Sequence, residues 1–158
     1  MSIRLIAIDI DGTLLDSRSH MPTENRDAVR EALDAGVAVV LVTGRSFHHT
    51  RPVGVELSDR IPLIVSNGAM MKRTNGHTLH RKTLDPTVTK KIIVKVRQHR
   101  LGAALIFDRP GPDQYLYEGI DWQHPNRRRY YELNRQFMTE LSPIEAGLTE
   151  SPLQLAFT

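Results

Sequence analysis

RLIAIDIDGTLLD, residues 4 to 16, sets two aspartates one residue apart at the end of an apolar, isoleucine-rich run. The longer stretch IRLIAIDI (3 to 10) lacks polar alternation, which predicts a short strand covered on both faces. Two carboxylates at the tip of a buried strand repel each other, and burial penalises both, so the pair needs a chemical reason.

Three readings fit Asp9, Ile10, Asp11, Gly12 and Thr13. D-x-D-G opens a calcium loop of EF-hand type, but that loop lies between helices and needs glycine at its sixth position and glutamate at its twelfth. In this chain the glycine is fourth and follows a strand. The second reading is a turn in which aspartate side chains accept from local backbone amides. The third is phosphoryl transfer. One carboxylate attacks phosphorus, which divides hydrolysis into two displacements. The other protonates the leaving oxygen and then activates water. A divalent cation lets the two sit close together and screens the approach of an anionic nucleophile, and magnesium suits an all-oxygen site.

The surrounding pattern is that of an α/β protein. Pro22 suits a helix start, Val29 and Leu33 have helical spacing, and Gly36 closes the helix. VAVVLVT (37 to 43) predicts a second buried strand, residues 46 to 57 a helix, and IPLIVSN (61 to 67) a third strand. Strand, helix, strand, helix, strand at this spacing predicts a doubly wound, Rossmann-like unit with a parallel sheet. Beyond residue 68 the rhythm changes. MMKRTNGHTLHRK predicts a hairpin turning at Asn75-Gly76. PTVTKKIIVKVRQHR (86 to 100) predicts a basic amphipathic helix with Val88, Ile92, Val96 and Ile93 inward. AALIFD and QYLYEG read as strands, 127 to 140 as a helix and LQLAF as a final apolar piece. Two domains are expected, 1–83 and 84–158.

The 158 residues are 40% hydrophobic and 25% charged with net charge +3, the composition of a globular protein and not of a disordered one. There are no cysteines, which excludes disulfide frameworks, thiolate metal sites and cysteine nucleophiles. The longest apolar run, VAVVLV at 37 to 42, is far below the ~20 residues of a membrane span. With no signal-peptide pattern at the N-terminus, a cytoplasmic location is the default expectation. Arg127, Arg128 and Arg129 form one basic run, more simply a solvated helix face than a nucleic-acid surface. No membrane or nucleic-acid partner is expected.

In an open parallel sheet, ligands bind outside the carboxyl ends of the strands, where Asp9 and Asp11 are expected. The second strand ends in VTGR: Thr43 offers a hydroxyl, Gly44 an unobstructed amide, and the helix that follows its N-terminal dipole. The third ends in SNGA, with Ser66 and Asn67 as donors and Gly68 permitting close backbone approach. Three successive strands ending in such groups favour the phosphoryl-transfer reading over an ordinary turn.

DIDGTLLD, VTGR and SNGA, in this order, resemble the haloacid dehalogenase superfamily, specifically Cof-type (subfamily IIB) phosphatases with a large α/β cap inserted after the third strand. The resemblance implies a Mg2+-dependent phosphatase that acts on a small phosphorylated metabolite, a sugar phosphate or similar monoester, through an aspartyl phosphate. It implies Asp9 as nucleophile and metal ligand, and Asp11 as general acid/base and metal ligand through its backbone carbonyl. Thr43 would hold the phosphoryl group, with Gly44, Arg45 and Asn67 around it and Gly12 and Thr13 forming the turn after the nucleophile. Residues from about 84 onward would be an α+β cap that selects the substrate.

Family members carry two further motifs after the cap, a charge-stabilising lysine and an acidic loop that completes the metal site. The match therefore covers the first half of a catalytic core and most of a cap. Lys90, Lys91 and Lys95 lie on the presumed cap helix, and Asp108, Asp113 and Asp121 lack the acidic-loop context. Two expectations follow: a truncated product of a longer phosphatase, or a partial core that covers its first strand's edge by forming a homodimer. The alternative to turnover is a fragment that binds phosphate or a partner without hydrolysis. His48 and His49 fit no metal spacing, His77 and His80 are expected at the surface, and Trp122, Tyr115 and Tyr117 are expected to pack more than to line a pocket.

Overall fold

The computed structural model describes residues 3 to 158, in two compact units, Met1–Lys82 and Thr83–Thr158. In the first unit the elements are β1 (Leu5–Asp9), α1 (Thr23–Asp34), β2 (Ala38–Val42), α2 (Phe47–Leu57), β3 (Pro62–Val65), β4 (Met70–Arg73) and β5 (Thr78–Arg81). They form one sheet in the order β1-β2-β3-β4-β5, parallel through β3 and antiparallel after it. The predicted Rossmann-like strand and helix alternation is present.

Burial is concentrated on β2 and β3. Val39, Val40, Leu41, Leu63 and Val65 are buried, as suits β-branched and leucine side chains in the middle of a sheet. Helix α1 packs on β2 and on α2, and α2 packs on β3, so both crossovers share one face. Val29 is the buried contact of α1, and Leu33 is partly covered.

Strand β1 departs from the two-sided cover predicted for it. Leu5, Ala7 and Asp9 are exposed, while Ile6 and Ile8 are partly covered. The reason is position: among the described residues β1 is an end strand, paired with β2 on one side, and its alternate side chains point away from the helical layer. The turn of the β4 and β5 hairpin is expected to take its positive φ angles from Asn75 and Gly76. Gly76 does so, at 93°, whereas Asn75 accepts the His77 N–H through its side chain.

The second unit contains α3 (Pro86–Gln98), β6 (Ala103–Ile106), β7 (Tyr115–Glu118), α4 (Pro125–Asn134), β8 (Met138–Glu140) and β9 (Gln154–Phe157). Its sheet runs β8-β7-β6-β9, with only the β7 and β8 pair parallel. Asp85 caps α3 by accepting the Val88 N–H at 2.9 Å, and Pro86 follows where a missing N–H does no harm. The buried face of α3 is Thr89, Ile93 and Val96, rotated from the predicted Val88 and Ile92. Those two line an open groove of about 400 Å³ with Leu101 and Phe157. Ile93 and Val96 join Leu105, Phe107, Leu116 and Ile144 in a single core.

The helix expected over 127 to 140 stops at Asn134, whose side-chain amide donates to the Tyr130 carbonyl. Residues beyond it turn and enter the sheet as β8, because Met138, Thr139 and Glu140 pair with Tyr115, Leu116 and Tyr117. Trp122 packs edge-on against Tyr117 and stacks on Tyr131, a packing role. Among the described residues no helix is long and apolar enough to cross a membrane.

One charged staple ties α3 to the rest of this unit. Arg97 donates to both carboxylate oxygens of Glu145, at 2.7 and 2.6 Å, and to Glu118 at 2.7 Å. Arg97 holds the Glu145 carboxyl below the ordinary glutamate range against the opposing effect of burial. Burial pushes Glu118 up, but the Ser142 hydroxyl, Arg97 and the Ile144 N–H together leave it lowered. Carboxylates depressed in the folded state stabilise it above the ordinary glutamate value of 4.5, and that stabilisation is lost as pH falls below it. Arg97→Met is therefore expected to lower stability at neutral pH by about 1 kcal/mol, a modest figure because Arg97 is half exposed. The variant's melting temperature should also fall less steeply than wild type's between neutral pH and about pH 3.5. Parallel melting curves across that range would contradict the staple.

Candidate active site

The parallel register brings three strand ends level. Asp9, the last residue of β1, stands beside Val42 of β2, and Val42 stands beside Ile64 of β3. The segments that leave these strands, from Ile10, Thr43 and Ser66, therefore emerge at one edge of the sheet.

The first loop turns around a buried anchor. Ile10 is fully buried, while Asp9 and Asp11 on either side of it are exposed, so the burial penalty expected for the pair is absent. Leu14 N–H donates to the Asp9 carbonyl at 3.2 Å and Leu15 N–H to the Ile10 carbonyl at 2.9 Å, which closes the turn. Gly12 sits at φ 78°, a left-handed conformation that a side chain would strain. The Thr13 hydroxyl lies 3.5 Å from Asp9 Oδ2.

Two residues that sequence reasoning left unassigned brace this loop. Asn25, in the first turn of α1, donates to the Leu14 carbonyl at 3.1 Å. Asp16 Oδ1 accepts from the N–H groups of Arg18 and His20, at 2.8 and 2.9 Å. The signal for Asp16 was present as an aspartate opening a polar turn, DSRSH. Asn25 had no comparable signal, since its partners are backbone carbonyls eleven and twelve residues away.

The second loop interlocks with both others. Thr43 is buried, and its Oγ1 accepts the Arg45 N–H at 3.1 Å. The Thr43 carbonyl accepts from Asn67 N–H at 3.3 Å, and the Arg45 carbonyl from Ser66 N–H at 2.8 Å. Ser66 and Asn67 hold positive φ of 54° and 55°, followed by Gly68 at 88°, so three successive residues curl back toward the second loop. A Cβ at Gly44 would lie 2.8 Å from Asn67 Oδ1, which explains the glycine by close approach.

Arg45 reaches the first loop. Its Nε donates to Asp11 Oδ2 at 2.9 Å, and its Nη2 donates to Asp11 Oδ1. The structure thus brings Asp9, Asp11, Gly12, Thr43, Gly44, Arg45 and Asn67 to one edge. His48 and His49 lie in the first turn of α2, with rings 4.1 Å apart and the Ser46 hydroxyl 3.2 Å from His48 Nδ1. His77 and His80 are exposed, as expected. Among the described residues no group of three or more histidine, aspartate or glutamate side chains is placed to hold a metal ion.

An α/β unit of this kind with paired aspartates after its first strand defines a recognisable class. The family model for haloacid dehalogenase-like hydrolases matches residues 6–155, and the chain belongs to that family. Over 90 residues it is 37% identical to the 5-amino-6-(5-phospho-D-ribitylamino)uracil phosphatase YwtE of Bacillus subtilis, which is 57% of this chain and 31% of that protein. In structure it is similar to the haloacid dehalogenase superfamily phosphatase BT1666 of Bacteroides thetaiotaomicron, with TM-score 0.77 and 20% identity over 98% of this chain and 55% of that one. The subclass IIB sugar phosphatase BT4131 shares the fold, with TM-score 0.72 and 16% identity over 98% of this chain and 58% of that one. The chain thus spans about a third of the curated relative and little more than half of either structure.

Gly44→Ala tests the interlock of the second and third loops. The new methyl meets only the tip of a side chain, so the fold is expected to survive with a loss of about 1 kcal/mol. The Asn67 side-chain amide resonances should move as Asn67 yields. Unchanged Asn67 resonances would contradict the close approach.

Proposed function

We propose that this chain carries the phosphoryl-accepting half of a phosphatase that hydrolyses a small phosphate monoester through an aspartyl phosphate. The observation that supports it best is the exposed Asp9 and Asp11 pair on the same sheet edge as the hydroxyl of Thr43, the Gly44 backbone and the side chains of Arg45 and Asn67. Asp9 forms a bond from a carboxylate oxygen to phosphorus while the ester P–O bond breaks, and Asp11 delivers its proton to the leaving oxygen. Asp11 then takes a proton from water, whose oxygen attacks phosphorus and breaks the bond to Asp9, which restores the Asp9 carboxylate and the protonated Asp11 and releases inorganic phosphate. Thr43 and Asn67 donate to phosphoryl oxygens, and the Gly44 amide adds a backbone donor without steric obstruction.

The donor set suits Mg2+ in kind: the Asp9 carboxylate and the Asp11 backbone carbonyl are hard oxygen ligands. When bound, the ion would neutralise charge between the nucleophile and the phosphate. Two protein ligands leave the remaining coordination to water and substrate oxygens, an arrangement magnesium accepts. We assign the second unit, Thr83–Thr158, to substrate selection, as in the capped members of the family. The substrate reading is a phosphorylated sugar or polyol. It is supported by one relative named for a 5-phospho-D-ribityl compound and one structural neighbour named as a sugar phosphatase.

A second reading, phosphate binding without turnover, is favoured by the absence of a third acidic ligand among the described residues. Phosphate release from a generic aryl monoester with Mg2+ separates the two. Turnover by wild type, reduced by at least about 10³-fold in Asp9→Asn, is the expected result for a covalent nucleophile. Release no faster than buffer from either protein, with phosphate still bound, would establish the second reading instead.

A further inference from the structure

The contact between Arg45 and Asp11 is odd for a site that handles phosphate. The guanidinium engages both oxygens of the Asp11 carboxylate, Nε to Oδ2 at 2.9 Å and Nη2 to Oδ1. While the fork engages both oxygens, the Asp11 carboxylate is held in the plane of the guanidinium and not turned toward a leaving group. The same planar fork of donors matches two phosphoryl oxygens as well as it matches a carboxylate.

Three features make the contact exchangeable. The Arg45 backbone is fixed at both ends, with its N–H on Thr43 Oγ1 and its carbonyl accepting from Ser66, so only the side chain is free to swing. That backbone lies at the phosphate-facing loop, within a side chain's reach of Asp11. The pair is also partly exposed, 25% at Arg45 and 58% at Asp11, and pairs open to solvent are worth only about a factor of two to five in equilibrium. A multiply charged phosphate ligand is a stronger partner for the same fork.

We propose that Arg45 is an exchanging side chain: it holds Asp11 while the site is free of ligand and transfers to phosphoryl oxygens when phosphate enters, leaving the Asp11 carboxylate open. This rests on the phosphate-site reading above and adds to it a competition, in which Asp11 and phosphate draw on the same guanidinium. Asp11→Asn then raises phosphate affinity in two ways. Removing a like charge acts whether or not Arg45 is present, whereas freeing the guanidinium acts only when it is.

Calorimetric titration with inorganic phosphate, in constant excess Mg2+, measures the difference across wild type, Asp11→Asn, Arg45→Ala and the double variant, with circular dichroism confirming that each is folded. The gain from Asp11→Asn is expected to be about two- to five-fold larger with Arg45 present than with alanine in its place. Equal gains in the two backgrounds would overturn the exchange while leaving the phosphate site intact. Failure of wild type to bind phosphate at all would overturn the phosphate site and the exchange with it.

Discussion

Parallel pairing of β1, β2 and β3 is the constraint on which the rest of the first unit depends. Strands that run the same way end at the same edge, and the register of Asp9 with Val42 and of Val42 with Ile64 makes those ends level. The first two strands are followed by connections that turn back over the sheet and the third by a tight turn into β4, so three loops leave from the same edge. Their sequences then decide the chemistry. Ile10 anchors the first loop in the core and leaves a carboxylate on each side of it in solvent. Gly44 lets the second approach the third, and Ser66 and Asn67 accept left-handed backbone to meet it.

The repulsion between Asp9 and Asp11 is handled by exposure and by Arg45, not by burial. Both aspartates lie at the surface, where water screens them, and the Arg45 fork offsets one of the two negative charges. An ion pair at that exposure is a weak one. The second unit is built on a different principle, with its own apolar core under α3 and a partly buried staple of Arg97 with Glu118 and Glu145.

The strands, helices and site residues differ in how far they can be read from sequence. DIDGTLLD, VTGR and SNGA mark the strand ends because small and polar residues directly after apolar runs have few other uses. The hairpin and the start of α3 are legible through local signals, Asn75-Gly76 and Asp85-Pro86. Exposure of β1 is not, because burial of a strand depends on which neighbours the sheet supplies, and an apolar run reads the same at an edge as in the middle. The buried face of α3 is ambiguous for a related reason: Val88, Ile92, Ile93 and Val96 allow two apolar stripes, and packing on β6 selects the one through Ile93. Asn25 and the Arg45 fork on Asp11 join residues far apart in the chain, so no local pattern announces them.

The central claim is that three loops form one phosphate site. Backbone amide shifts recorded while inorganic phosphate is titrated into the protein with Mg2+ test it most directly. The account predicts that Gly12, Thr13, Gly44, Arg45, Asn67 and Gly68 shift together and follow one binding curve. Shifts confined to a single loop, or centred on the basic run Arg127 to Arg129, would contradict it.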